Sequence, residues 1–279
     1  MPQNTVKAAL WLLLSALLFS MMGLLIRNVS AHTNNETIVF VRNLVGSLMF
    51  LPLLLKYGVG HFRTRRLKLH LLRTFFGITA MYSFFYALAH IPITDAMIFT
   101  YSAPVFIPLI AWLWLREIPS PFSLAAVAIG IVGVYWVVKP SDGLFDGISA
   151  LGFATSVLAA AAFVSVRKLS STESPVVIVF YFSIFSALVA AIPMYWAWQQ
   201  IDNLSLLKLI IIGIVATLSQ IAMSRAYSLA PASTIGPIAF SSIVFGGIAA
   251  WFLWGETPDS LSLLGTLLIF IACLLTLKR

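Results

Sequence analysis

The 279-residue chain is 61% hydrophobic and 9% charged, with a formal net charge of +8. Soluble domains hold roughly 45–50% apolar and about 25% charged residues, so seventeen basic and nine acidic side chains cannot clothe a water-facing surface on this chain. A soluble enzyme and a nucleic-acid-binding domain are thereby excluded, and Cys273, alone of its kind, permits neither an intrachain disulfide nor a cysteine metal cluster.

Lys7 precedes the first apolar run, residues 8–26. That run outlasts the roughly 7–15 residues of a signal-peptide core, and no small-x-small cleavage site follows it, so it is expected to remain as the first span. Further apolar runs predict spans at 38–55, 71–90, 94–115, 121–138, 148–166, 176–198, 206–229, 233–254 and 260–277. Their apolar character is continuous rather than alternating, which selects helices over barrel strands. The third and fourth spans meet at Ile91-Pro92-Ile93 and the eighth and ninth at Ala230-Pro231-Ala232. Proline there ends one helix and starts the next, predicting two helical hairpins.

Orientation follows from the basic residues. With the N-terminus inside, Lys7, Lys56, Arg63, Arg65, Arg66, Lys68, Arg73, Arg116, Arg167, Lys168, Lys278 and Arg279 fall in cytoplasmic segments, against Arg27, Lys139 and Lys208 outside. This predicts a multi-pass inner-membrane protein with both termini cytoplasmic. The basic stretch 63–68 reads as part of that signal, beside anionic lipid head groups. Trp11, Trp114, Trp136, Trp196, Trp198 and Trp254 lie near span ends, as interfacial aromatic belts require.

The two halves resemble each other. A shift of 139 places Ala87 on Ala226, Pro92 on Pro231, Ser102 on Ser241, Trp112 on Trp251, Glu117 on Glu256, Pro119 on Pro258 and Ser123 on Ser262. A shift of 140 brings Arg27 onto Arg167, Ser30 onto Ser170 and Phe40 onto Phe180. Each half holds five spans, an odd number, so the second copy is expected to enter the membrane inverted. The predicted fold is all-α and integral to the membrane, with ten transmembrane helices in two inverted five-helix repeats, residues 1–140 and 141–279. Alternating-access transporters are built this way, with substrate near the midplane at the repeat interface.

Four segments carry a family resemblance: Leu115-Arg116-Glu117-Ile118-Pro119, Leu253-Trp254-Gly255-Glu256-Thr257-Pro258, the stretch from Arg225 to Ser233, and the glycine-bearing fifth span around Gly130 and Gly133. With these the chain resembles the EamA-type members of the drug/metabolite transporter superfamily over almost its whole length. The resemblance implies spans one to four and six to nine around a central cavity, with spans five and ten peripheral. Ile269 and Ala272 in the tenth span replace Gly130 and Gly133 of the fifth, so those two need not pack alike. It also implies amino acids, their derivatives, nucleoside-like compounds or other metabolites as substrates. Transporters of S-adenosylmethionine or riboflavin carry similar wording between the eighth and ninth spans.

No enzyme constellation is present. His32, His61, His70 and His90 sit at loops or span ends, and neither an H-E-x-x-H helix nor a P-loop occurs. Charge within a span is costly and marks a polar cavity or a partner, which singles out Arg42 and Arg225 as candidate anion ligands, with snorkelling and helix glue as the plainer readings. Tyr82 and Tyr86 share a helical face, and Tyr101 aligns with Phe240; such rings stack on substrate or simply pack. Gln220 shares a face with Thr217 and Ser224, near mid-depth, as cavity ligand or interhelical glue. Pro104, Pro108 and Pro237 remove helical hydrogen bonds and are candidate gating hinges. Glu117 and Glu256 read as helix-end anchors in preference to proton carriers, and Asp95 as a helix cap.

The reading is a secondary transporter moving a small organic metabolite by alternating access, without cofactor or metal, as monomer or homodimer in the lipid bilayer. The tyrosines and arginines suit an amphipathic, amino-acid-like substrate with an anionic group. Uptake or exchange of a nucleoside-like or flavin metabolite, such as S-adenosylmethionine or riboflavin, is the alternative. A membrane enzyme or lipid flippase and a passive channel are the alternatives of another class.

Overall fold

The computed structural model describes residues 2–90, 102–138, 147–255 and 259–275, and all regular structure among them is helical. The first half contains α1 (Pro2–Val29), α2 (Asn35–Leu48), α3 (Leu51–Tyr57), α4 (Leu67–His90), α5 (Ala103–Leu115) and α6 (Pro121–Val138). The second contains α7 (Gly147–Leu169), α8 (Pro175–Ala191), α9 (Met194–Ala197), α10 (Asn203–Leu229), α11 (Ala232–Ile235), α12 (Ser241–Trp254) and α13 (Ser260–Leu275). Tight 3-10 turns lie at Val59–Phe62 and Gly236–Phe240. Four helical stretches, Asn4–Val29, Asn35–Tyr57, Asn203–Leu229 and Ala232–Leu253, are long and apolar enough to cross a membrane, and α5, α6, α8 and α13 are shorter apolar helices.

Local chemistry sets the helix ends. Asn34 caps α2 by accepting from the Thr37 N–H at 3.0 Å, and Ser174, its counterpart 140 residues on, caps α8 from Val177. Asp202 caps α10 from Ser205 at 3.0 Å, and the hydrogen bonds from Ser205 hold its carboxyl below the usual range. The predicted spans 38–55 and 176–198 are each broken. The first divides at Met49 and Phe50 just before Pro52, and the second at Ile192 and Pro193, because proline supplies no N–H to continue the ladder.

Packing follows the internal repeat. Helix α1 lies along α10 and α4 along α7, while α2 packs on α8, α5 on the turn Gly236–Phe240, and α6 on α13. Exchanging the halves converts the first pair into the second and returns the other three to themselves, as a pseudo-twofold axis requires. The α1–α10 seam is made by reciprocal serines. The Ser15 hydroxyl donates to the Ser219 carbonyl and the Ser219 hydroxyl to the Ser15 carbonyl, each at 2.9 Å. The outer surface is apolar, with Leu10, Leu14, Leu17, Ile211, Leu218, Leu263, Leu267 and Phe270 exposed, as lipid contact demands.

The fifth and tenth predicted spans, α6 and α13, pack directly on one another. A Cβ added at Gly133 would stand 2.7 Å from the Gly265 carbonyl oxygen and 2.9 Å from Ile269 Cγ1. Ile269 thus fills the space that glycine leaves, which explains why the two repeats differ here. Gly133→Leu is expected to lower stability by about 3 kcal/mol through overpacking, read as a fall in the thermal unfolding midpoint in detergent.

Candidate substrate site

The site forms where α2, α4, α8 and α10 cross. Arg42 points inward from α2 and is 6% exposed; Arg73, two turns into α4, is 2% exposed. The Arg42 Nη1 donates to the Met81 sulfur at 3.6 Å, and its Nε has no partner. The Arg73 Nη2 donates to Gln220 Oε1 at 3.0 Å, and its guanidinium lies 4.0 Å from the centre of the Phe182 ring. Its Nε and Nη1 are unpartnered. Arg42, Asn43, Phe182, Ser183, Ala216, Thr217 and Gln220 line a narrow crevice with a cavity volume of about 10 Å³. Among the described residues, no carboxylate is ion-paired to either. Close approach of helices is built in by glycine, since a Cβ at Gly46 would stand 2.8 Å from Thr217 Oγ1.

The repeat passes through this site. A shift of 140 takes Arg42 to Phe182, and a shift of 139 takes Met81 to Gln220. Arg42 touches Met81 in one half, while Arg73 bridges Phe182 and Gln220 in the other. The pocket is therefore lined by residues from both of the repeated halves.

Arg42 and Gln220, both singled out in the sequence, meet here. Tyr82 follows Met81 on α4, half-buried, with its hydroxyl unpartnered. The Tyr86 side chain and Tyr101 lie outside the described residues, as do Asp95 and Glu256. Arg225 is a correction. It is exposed, and it shares the helical face of Leu218 seven residues earlier, so it stands well round α10 from Gln220 and outside this pocket. Arg73 is a correction of the opposite kind. Counted among the cytoplasmic basic residues, it is buried in the interior, because α4 starts at Leu67 and Gly77, one turn on, leaves room for its guanidinium.

The prolines divide. Pro104 is the second residue of α5, where a helix has no hydrogen bond to lose, so it does not kink that helix. Pro108 lies buried within α5, and Pro237 sits in the 3-10 turn that separates α11 from α12. Gly236 there faces Ile107 of α5, with an added Cβ only 2.8 Å from Ile107 Cγ2.

A second charged cluster serves anchoring. Arg167 Nε meets Glu117 Oε1 at 2.7 Å, and its Nη1 donates to the Tyr227 carbonyl at 2.8 Å. Glu117 Oε2 accepts from the backbone N–H of Ala232 at 2.8 Å and of Ser233 at 3.4 Å, at the start of α11. Arg116 adopts φ 58° to turn the chain there, and the Ser123 hydroxyl donates to the Ser233 carbonyl. One carboxylate so ties the ends of α5, α7 and α10 across both halves.

Residues 6–139 and 147–278 each match the model of the EamA-like transporter family. The chain belongs to that family. It is 33% identical over 266 residues to the pseudopaline exporter CntI of Pseudomonas aeruginosa strain UCBPP-PA14, across 94% of this chain and 92% of that one. It is 29% identical over 273 residues to the S-adenosylmethionine uptake transporter of Rickettsia bellii, across 95% and 91%. With the riboflavin transporter of Vibrio cholerae serotype O1 the identity is 26% over 277 residues, across 96% and 92%. A protein of known crystal structure superposes with a TM-score of 0.82 at 17% identity, covering 97% of this chain and 96% of that one, so the fold is shared. The protein is a multi-pass membrane transporter of the drug/metabolite type, not an enzyme.

Proposed function

We propose that this EamA-family member is an inner-membrane secondary transporter for a small organic metabolite bearing an anionic group. Its ten helices form two inverted repeats, residues 1–140 and 141–279, with both termini cytoplasmic. The observation that carries the substrate reading is the pair of buried guanidiniums: Arg42 lines the pocket, and Arg73 holds two of its lining residues, Gln220 and Phe182. Buried charge is retained in a membrane protein where it meets a ligand. The Phe182 ring and the Tyr82 hydroxyl supply an apolar surface and a donor for the rest of the molecule. One chain holds the whole site, so a monomer suffices. Uptake of a flavin or of S-adenosylmethionine, as in two of the relatives, is a second reading, supported by their similarity along the whole chain.

The pocket is narrower than a drug-sized ligand requires, roughly 300 Å³ or more, so loading requires the repeats to part. Rocking of one repeat against the other opens the pocket to alternate faces. Pro108 and the broken segment around Pro237 are the hinges. Reconstituted vesicles are expected to show saturable metabolite uptake, accelerated by the same solute on the opposite side. Arg42→Ala should lose at least about a hundredfold in uptake, the scale of stripping one partner from a buried charged contact, while Arg225→Ala transports normally. Non-saturable flux, or termini found on opposite sides of the membrane, would overturn the proposal.

A further inference from the structure

Resting on that transport reading, we infer that the cargo is a dianion, carrying one negative charge for each of Arg42 and Arg73. Both side chains are more than nine-tenths buried, and between them they leave three guanidinium N–H-bearing nitrogens without a partner, Arg42 Nε and Arg73 Nε and Nη1. Neither is ion-paired to a carboxylate among the described residues. Of the described acids, Glu117 is committed to Arg167 and the start of α11, Glu173 to Thr64 and Asp202 to the cap of α10, while Glu36 lies in the first turn of α2, six residues before Arg42.

Among the described residues, the groups that touch the two arginine side chains carry no charge. Gln220 offers Arg73 an amide oxygen, Phe182 a ring face, and Met81 offers Arg42 a sulfur. A neutral solute leaves both cations without a counter-charge from the described residues. A monoanion satisfies one and strands the other. Two carboxylates on a short scaffold, or one doubly ionised phosphate or phosphonate, satisfy both, with planar, two-pronged hydrogen bonding at each guanidinium. Charge matching of this kind discriminates because a wrong ligand leaves a buried donor set unpaired.

The test is binding to the purified full-length protein, read by thermal shift and calorimetry. The probes are malonate, succinate, glutarate and adipate, each beside its monoamide and its diamide, and methylphosphonate beside its monomethyl ester. At least one dianion is expected to bind about tenfold or more tightly than its monoanionic partner, with the diamide inert. The acid that wins, carboxylate or phosphonate, identifies the source. Gln220→Glu, which places an internal carboxylate beside Arg73, should transfer the preference to the monoanion, as should Arg73→Gln. Asp95→Asn should leave the dianion preference in place. No dianion outbinding its partner, or loss of the preference in Asp95→Asn, overturns the inference. Saturable exchange of a neutral metabolite that ignores these anions would sink the dianion alone and leave the transporter standing, whereas absence of saturable exchange for every solute would remove the transport reading itself.

Discussion

Glu117→Ala is expected to destabilise the protein by about 2–3 kcal/mol, the range for stripping one partner from a partly buried ion pair and a helix-start acceptor. The carboxylate meets Arg167 at 2.7 Å and the Ala232 N–H at 2.8 Å, with 16% of its side chain exposed. Its removal leaves the Arg167 guanidinium with the Tyr227 carbonyl alone and frees the first N–H groups of α11. Glu117→Gln keeps an acceptor for Ala232 and loses the charge, so about half the loss is expected. Unfolding midpoints in detergent check both. Equal stability of Glu117→Ala and the parent would show that the cross-repeat tie is ornamental.

Gly77→Ala is expected to cut transport about a hundredfold while the protein still folds, because a misplacement of about 1 Å in a binding group has effects of that order. The added Cβ overlaps the Arg73 Nη1 and stands 2.9 Å from the Phe182 ring, so the guanidinium is pushed off both Phe182 and Gln220. Alanine's better helix propensity, about 0.8–1.0 kcal/mol over glycine, offsets part of the crowding. Uptake kinetics with thermal stability measured alongside separate the two effects. Normal uptake by Gly77→Ala would take Arg73 out of the substrate site.

Helices and their pairing were legible because membrane burial writes long apolar runs and duplication writes a shift of 139 to 140. The breaks at Met49–Phe50 and Ile192–Pro193 were hidden, since the apolar runs continue through them and only the prolines mark them. Arg42 and Gln220 were legible as polar groups inside apolar spans. Arg73 was not: it sits five residues past the basic stretch ending at Lys68, and charge counting alone merges it with that stretch. The signal available was its spacing from Gly77, one helical turn away. Phe182 was visible only as the partner of Arg42 under the repeat shift, since its contact with Arg73 depends on how α4 and α8 lie together. Arg225 misled because sequence position gives depth in the bilayer but not direction around the helix.

Both guanidiniums belong to the first copy of the duplicated unit, and the place in the second that matches Arg42 holds the Phe182 ring. In the proposed site the charged contacts come from the first copy, and Phe182, Ser183, Thr217 and Gln220 of the second supply much of the remaining wall. On the proposed reading, exchanges at positions 42 and 73 re-tune what is carried. Relatives that are 26% to 33% identical along nearly the full chain, yet named for pseudopaline, S-adenosylmethionine and riboflavin, fit such a division of labour.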